Sequence, residues 1–173
     1  MRLNPYWDFL FGIALVGKAS WYYIERPTLH SVSKVRQSCF YLGIIFAFLL
    51  LVGPIAHISI TKFQFHMVQH IGLMMLIGPL LVLGAPVKVA YNSKFPFVKR
   101  IIRIIGRNIL VRQLFRAEVG FVIFLAILIA THFSPLADTG MVNANVHEFE
   151  LILFLLGGFI YYYPVIEGNP QPF

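Results

Sequence analysis

The chain has 173 residues, of which 58% are hydrophobic and only 12% charged, and its formal net charge is +7. Soluble domains carry about 25% charged and about 45–50% apolar residues, so this composition excludes an ordinary water-soluble fold. The single cysteine, Cys39, excludes an intramolecular disulfide and any Cys-x-x-Cys metal or redox motif, and it is expected to be inert.

The apolar residues fall in blocks of roughly 20, the length needed to cross a ~30 Å hydrocarbon layer. β-Barrel strands would be shorter and alternating. The expected fold is an all-α integral membrane protein, one transmembrane domain over residues 1–173 with about five spans. The first, about 6–24, has no small-residue cleavage site behind a short apolar core and is expected to be retained rather than removed as a signal peptide. Lys18 within it is expected to snorkel or to face protein. Segment 25–37 follows with Arg26, Lys34 and Arg36, and it also holds His30.

The second span, about 38–58, runs to "GPIAHI". The third, about 65–84, opens the charge-free stretch "FHMVQHIGLMMLIGPLLVLGAP" at residues 65–86. Segment 85–116 then carries eight Lys or Arg and no acid. Within it, residues 97–116 are predicted to form an amphipathic helix on the anionic inner leaflet. Arg100, Arg103 and Arg107 recur there at helical spacing with Ile101, Ile104 and Ile105 between them. A partner-docking helix or a nucleic-acid arm is the less favoured reading, and no nucleic-acid partner is expected.

The fourth span is about 117–134 and the fifth about 147–166. Connections 59–64 and 135–146 hold only Lys62 and Asp138 as charged residues before the fifth span. Eleven of the fourteen basic residues thus lie in two alternate loops. By the positive-inside rule both loops face the cytoplasm, leaving the N-terminus outside and the C-terminus inside.

That topology gathers the histidines. His57 ends the second span, His66 and His70 open the third, His132 ends the fourth and His147 opens the fifth. All five fall at the outer ends of their helices. His66 and His70, four apart, share a helix face. Met74 continues that face one turn deeper, Met67 flanks it, and Met75 lies off it. Near a helix N-terminus neutral imidazole is favoured, which is the ligating form. His and Met with few carboxylates suit copper, Cu(I) above all. Glu150, three residues after His147, is placed to orient that imidazole, whereas Glu148 is expected to be solvated. Interhelical hydrogen bonding and plain packing remain the alternatives for each residue. Pro54, Pro79 and Pro164 are expected to kink helices, and Gly53, Gly78, Gly157 and Gly158 to allow close helix approach.

Three blocks carry a resemblance: "GPIAHIS" (53–59), "FHMVQHIGLMMLIGPLLVLGAP" (65–86) and "VHEFELILFLLGGFIYYYPVI" (146–166). Together with the isolated His132 they resemble, in order, the CtaG family of multi-spanning bacterial assembly factors for caa-type cytochrome c oxidase. The resemblance implies a non-enzymatic protein of the bacterial plasma membrane that serves oxidase subunits through copper. It implies metal association for His66 and His70, then for His57, His132 and His147. Two departures stand out. The family often has Glu-His in the fifth span, where Glu150 is here followed by Leu151. It also commonly carries further spans beyond "PVIEGNPQPF": either this is a short member or C-terminal spans are absent, and a second copy or an additional membrane subunit is the expected means of closing the bundle.

The residues also admit a haem-binding membrane cytochrome, with His from facing helices as axial ligands, and a structural oxidase subunit. Catalysis is not expected: no nucleophile–base pairing or phosphate loop is evident in the sequence.

Overall fold

The computed structural model describes residues 5–25, 30, 32–133, 139–140 and 142–168, and the regular elements among them are helices. Arg26 and Asp138, assigned above to loops, lie outside the described residues. Three helical stretches are long and apolar enough to cross a membrane: Lys34–Ser59, Phe63–Leu83 and Ala144–Glu167. They match the second, third and fifth predicted spans.

The other two predicted spans are also helices, though neither is among these three. The fourth is a helix of 17 residues, Ala117–Phe133, which at ~1.5 Å per residue falls a little short of ~30 Å. The first is the 20-residue helix α1 (Pro5–Ile24), but it is not among the three. Asp8, Lys18 and a Trp-Tyr-Tyr run dilute its apolar stretch.

Prolines shape the bundle through the hydrogen bonds they remove. α2 (Lys34–Leu51) begins at Ser33, whose hydroxyl accepts from the Arg36 amide. It breaks at Val52–Gly53 and resumes as α3 (Pro54–Ser59). Pro54 has no N–H, so the Leu50 carbonyl four residues back loses its helical donor. Gln69 replaces it: its side-chain Nε2 donates to the Leu50 oxygen at 2.6 Å.

The third span is built from α4 (Phe63–Ile71), a π turn (Gly72–Ile77) and α5 (Gly78–Leu83). Pro79 again withholds a donor, and in the widened turn before it the Gly78 amide reaches back five residues to the Leu73 oxygen. Gly78 meets the fifth span directly. A Cβ added there would lie 2.9 Å from the Gly158 carbonyl carbon, and one added at Gly158 would overlap the Met74 carbonyl. Only glycine permits that approach, and dispersion between the close backbones holds the two spans together where lipid offers no hydrophobic drive.

At the far end of the third span its last carbonyls are claimed by neighbours. Tyr22 donates to Gly84 O at 2.8 Å, and Arg36 Nε to Leu83 O at 2.7 Å. The Arg36 guanidinium also pairs with the Glu167 carboxylate. Tyr22 stacks on Phe40 with ring centroids 3.9 Å apart. Ala85 takes a left-handed conformation, φ 52°, to turn the chain into Pro86.

The basic segment forms α6 (Pro86–Tyr91), α7 (Pro96–Arg107) and α8 (Ile109–Leu114) before α9 (Ala117–Phe133). The single helix expected over 97–116 is therefore two. Asn108 is extended, and its side chain caps α8 by accepting from the Leu110 amide at 2.9 Å. Glu25, fully buried, accepts from the Ser93 hydroxyl and from the Lys94 amide, tying the end of α1 to this segment. The last helix, α10 (Ala144–Glu167), is capped by Asn143, whose side chain accepts from the Asn145 and Val146 amides.

Candidate metal centre

The Gly78–Gly158 contact brings the starts of α4 and α10 together, and with them three imidazoles. One nitrogen from each of His66, His70 and His147 lies within 4.8 Å of the others. The rings are in mutual contact: His66–His70 centroids are 4.3 Å apart, His66–His147 4.7 Å and His70–His147 5.5 Å. Imidazole donors around one first-row ion sit about 3–3.5 Å apart, given metal–nitrogen distances of about 2.0–2.1 Å. The set is therefore looser than an occupied site of that kind.

His70 and His147 are both 3% exposed. Among the described residues neither ring nitrogen of either residue has a hydrogen-bond partner. A buried polar group left unpaired costs about 1–3 kcal/mol, and a neutral imidazole offers one lone pair besides its N–H, so a ligand taking one lone pair from each of the three rings would offset part of that cost. A cation fits this donor set, and in particular one that favours nitrogen over hard oxygen.

His132, on α9, stands beside the triad, its ring centroid 6.0 Å from that of His70. Its Nδ1 is 3.0 Å from the Leu128 carbonyl of its own helix. A carbonyl only accepts, so Nδ1 carries the proton and Nε2 keeps the free lone pair. Phe154 packs on His70 at 4.5 Å between centroids and on His132 at 5.7 Å.

The remaining expected positions divide. Met74 is buried and, with His70, His132 and Phe154, lines a cleft of about 80 Å³. Met67 is half-buried and Met75 exposed. His57 is exposed and is not one of the three clustered imidazoles. Glu150 is buried, but its Oε1 and both His147 nitrogens have no partner, so the expected orienting hydrogen bond is not formed. Glu148, expected to be solvated, is 2% exposed. The N-terminus of α1 covers this region, with Trp7 donating to Asn145 at 3.0 Å.

Sequence reasoning overlooked two residues. Phe154 lies seven positions after His147, hence on the same helix face, and that spacing was readable. Gln69 sits between the two histidines of α4, but its role depends on Pro54 in another helix and has no local signal.

Helices long and apolar enough to cross a membrane, with three clustered imidazoles that could hold a metal, are the features of an integral membrane protein with a candidate metal site. The chain belongs to the cytochrome c oxidase caa3 assembly factor family (Caa3_CtaG), whose model matches residues 19–173. It is similar to uncharacterized proteins of Mycobacterium leprae, Mycobacterium bovis and Mycobacterium tuberculosis, each 32% identical over 119 residues. That match covers 65% of this chain and 18% of each relative, so the chain spans under a fifth of their length. No solved structure matches.

Proposed function

We propose that this protein handles copper for a respiratory cytochrome c oxidase during its assembly, holding the ion at the triad of His66, His70 and His147. Family membership supports the oxidase as client. The single observation that carries the metal is the convergence of buried, unpartnered imidazole nitrogens. Copper rather than a hard cation follows from the donor chemistry: imidazoles, a buried thioether at Met74 alongside, and no carboxylate oxygen in the set. His132 is an accessory donor. Met67 and Glu150 are positioned around the site rather than in it. His57 would join only by moving.

The chain's own residues bind the ion, exclude water from it and present it at one end of the bundle. We place that end on the outer face of a bacterial plasma membrane, since the basic segment occupies the opposite end. The partners are oxidase subunits and lipid, with a second copy or another membrane subunit against the open helix faces. Five membrane-crossing helices remain our topology, α1 and α9 completing the three longer ones.

A haem is disfavoured by space. The cleft beside His70 measures about 80 Å³, against about 300–1,000 Å³ for pockets that hold drug-sized ligands. Copper content and absorbance of the detergent-purified chain test the proposal together. Stoichiometric copper lost in His70→Ala, with no Soret band, is the expected result. A Soret band would reassign the site to haem. Metal-free protein that co-purifies with the oxidase would make it a structural subunit.

A further inference from the structure

α6, α7 and α8 bridge the end of the third span at Leu83 to the start of α9 at Ala117, so they lie at a membrane surface if those helices cross it. α7 turns three different sides to its surroundings. Gly106 is buried, with Val98 and Ile102 half-buried on the same side. Phe97 is 73% and Ile104 60% exposed, with Ile101 and Ile105 beside them. Arg100, Arg103 and Arg107 fill the remaining side, with Arg103 held over the Tyr91 ring at 5.3 Å. α8 extends the bare apolar surface through Ile109 and Leu110, 63% and 65% exposed.

The turn from α8 into α9 adds a concave feature. Between α8 and α9 opens a cleft of about 340 Å³ with Leu110, Leu114 and Val119 as apolar walls and Gln113 and Arg116 as its polar groups. Among the described residues Arg116 pairs with Glu118, at 3.7 Å, and both side chains are exposed. Such a pair is weak enough for a phosphate to displace.

We propose that the corner of α7, α8 and the start of α9 is a binding site for an anionic phospholipid. An acyl chain lies along Leu110, Leu114 and Val119. The phosphodiester sits at Arg116 and Gln113, and the α7 arginines engage neighbouring headgroups while Phe97 and Ile104 enter the upper acyl region. Charge complementarity and depth select this occupant: a row of guanidinium groups above bare aliphatic side chains matches an anionic leaflet in both respects. The proposal stands independently of copper.

The test uses the full chain in nanodiscs of mixed phosphatidylglycerol and phosphatidylcholine, with Phe97→Trp or Leu114→Trp read in excess of the parent's fluorescence. At equal mole fraction, brominated phosphatidylglycerol should quench the new tryptophan about twofold more than brominated phosphatidylcholine. That excess should shrink in high salt, because headgroup attraction is screened, and in the combined variant R100Q/R103Q/R107Q/R116Q. Equal quenching by both lipids, or quenching by aqueous iodide instead, would overturn the proposal. Inorganic phosphate replacing chloride at equal ionic strength should change nothing. Displacement by phosphate would assign the site to the free ion.

Discussion

Each imidazole in the cluster is held differently, and its loss should register differently. His70 touches His66, His132, His147 and Phe154 and is almost wholly buried, so it is the hub. His70→Ala should lower Cu(I) affinity by about 100-fold or more, while loss of the peripheral His132 should cost about 10-fold, the scale of outer-shell changes. Competition against a chromophoric Cu(I) chelator would read both. Glu150→Gln should stay within about threefold of the parent, because Glu150 makes no hydrogen bond to His147. A 100-fold loss there would restore the orienting role that its spacing suggested.

At the level of the element, the site exists because two helices touch at glycine. Gly158→Val would drive side-chain atoms into the Met74 backbone, and such overpacking typically costs about 1–3 kcal/mol. The expected outcome is a lower unfolding midpoint in detergent with weakened copper binding. Gly12→Ala on α1, with open space around it, should change neither. The close approach at Gly78 and Gly158, the effects of Pro54 and Pro79 and the shared face of His66 and His70 were legible in the sequence, because each acts through a spacing or a missing atom. Pro164 instead lies within an unbroken helix. The π turn and the cap at Asn108 were not legible. Both settle a competition among backbone hydrogen bonds that only the packed neighbours decide.

For the molecule as a whole, the sidedness of charge and histidine is the testable feature. In a Cys39→Ser background, cysteine at position 145 should label from outside intact cells and cysteine at position 92 should not. Labelling at 92 from outside would reverse the proposed orientation. Copper should also stabilise the fold by mass action, by about 2.7 kcal/mol at a free concentration 100 times Kd, seen as a higher melting temperature that a Cu(I) chelator abolishes. The long apolar blocks made the membrane class legible from composition alone. The α1 block is the least apolar of them, because an aspartate and a lysine dilute it.

The pairing of Gln69 with the Leu50 carbonyl makes Pro54 and Gln69 an epistatic pair. Where the helix closes across Val52–Gly53, Pro54→Ala returns an amide N–H to Leu50 and leaves Gln69 a buried side chain without its acceptor. Gln69→Leu alone strands the carbonyl; in the Pro54→Ala background it strands nothing. A selection for suppressors of a defective position 69 should therefore return changes at position 54, in a different helix. The rotational setting of the helix that carries two metal-binding histidines would thus be inherited jointly with a kink in its neighbour.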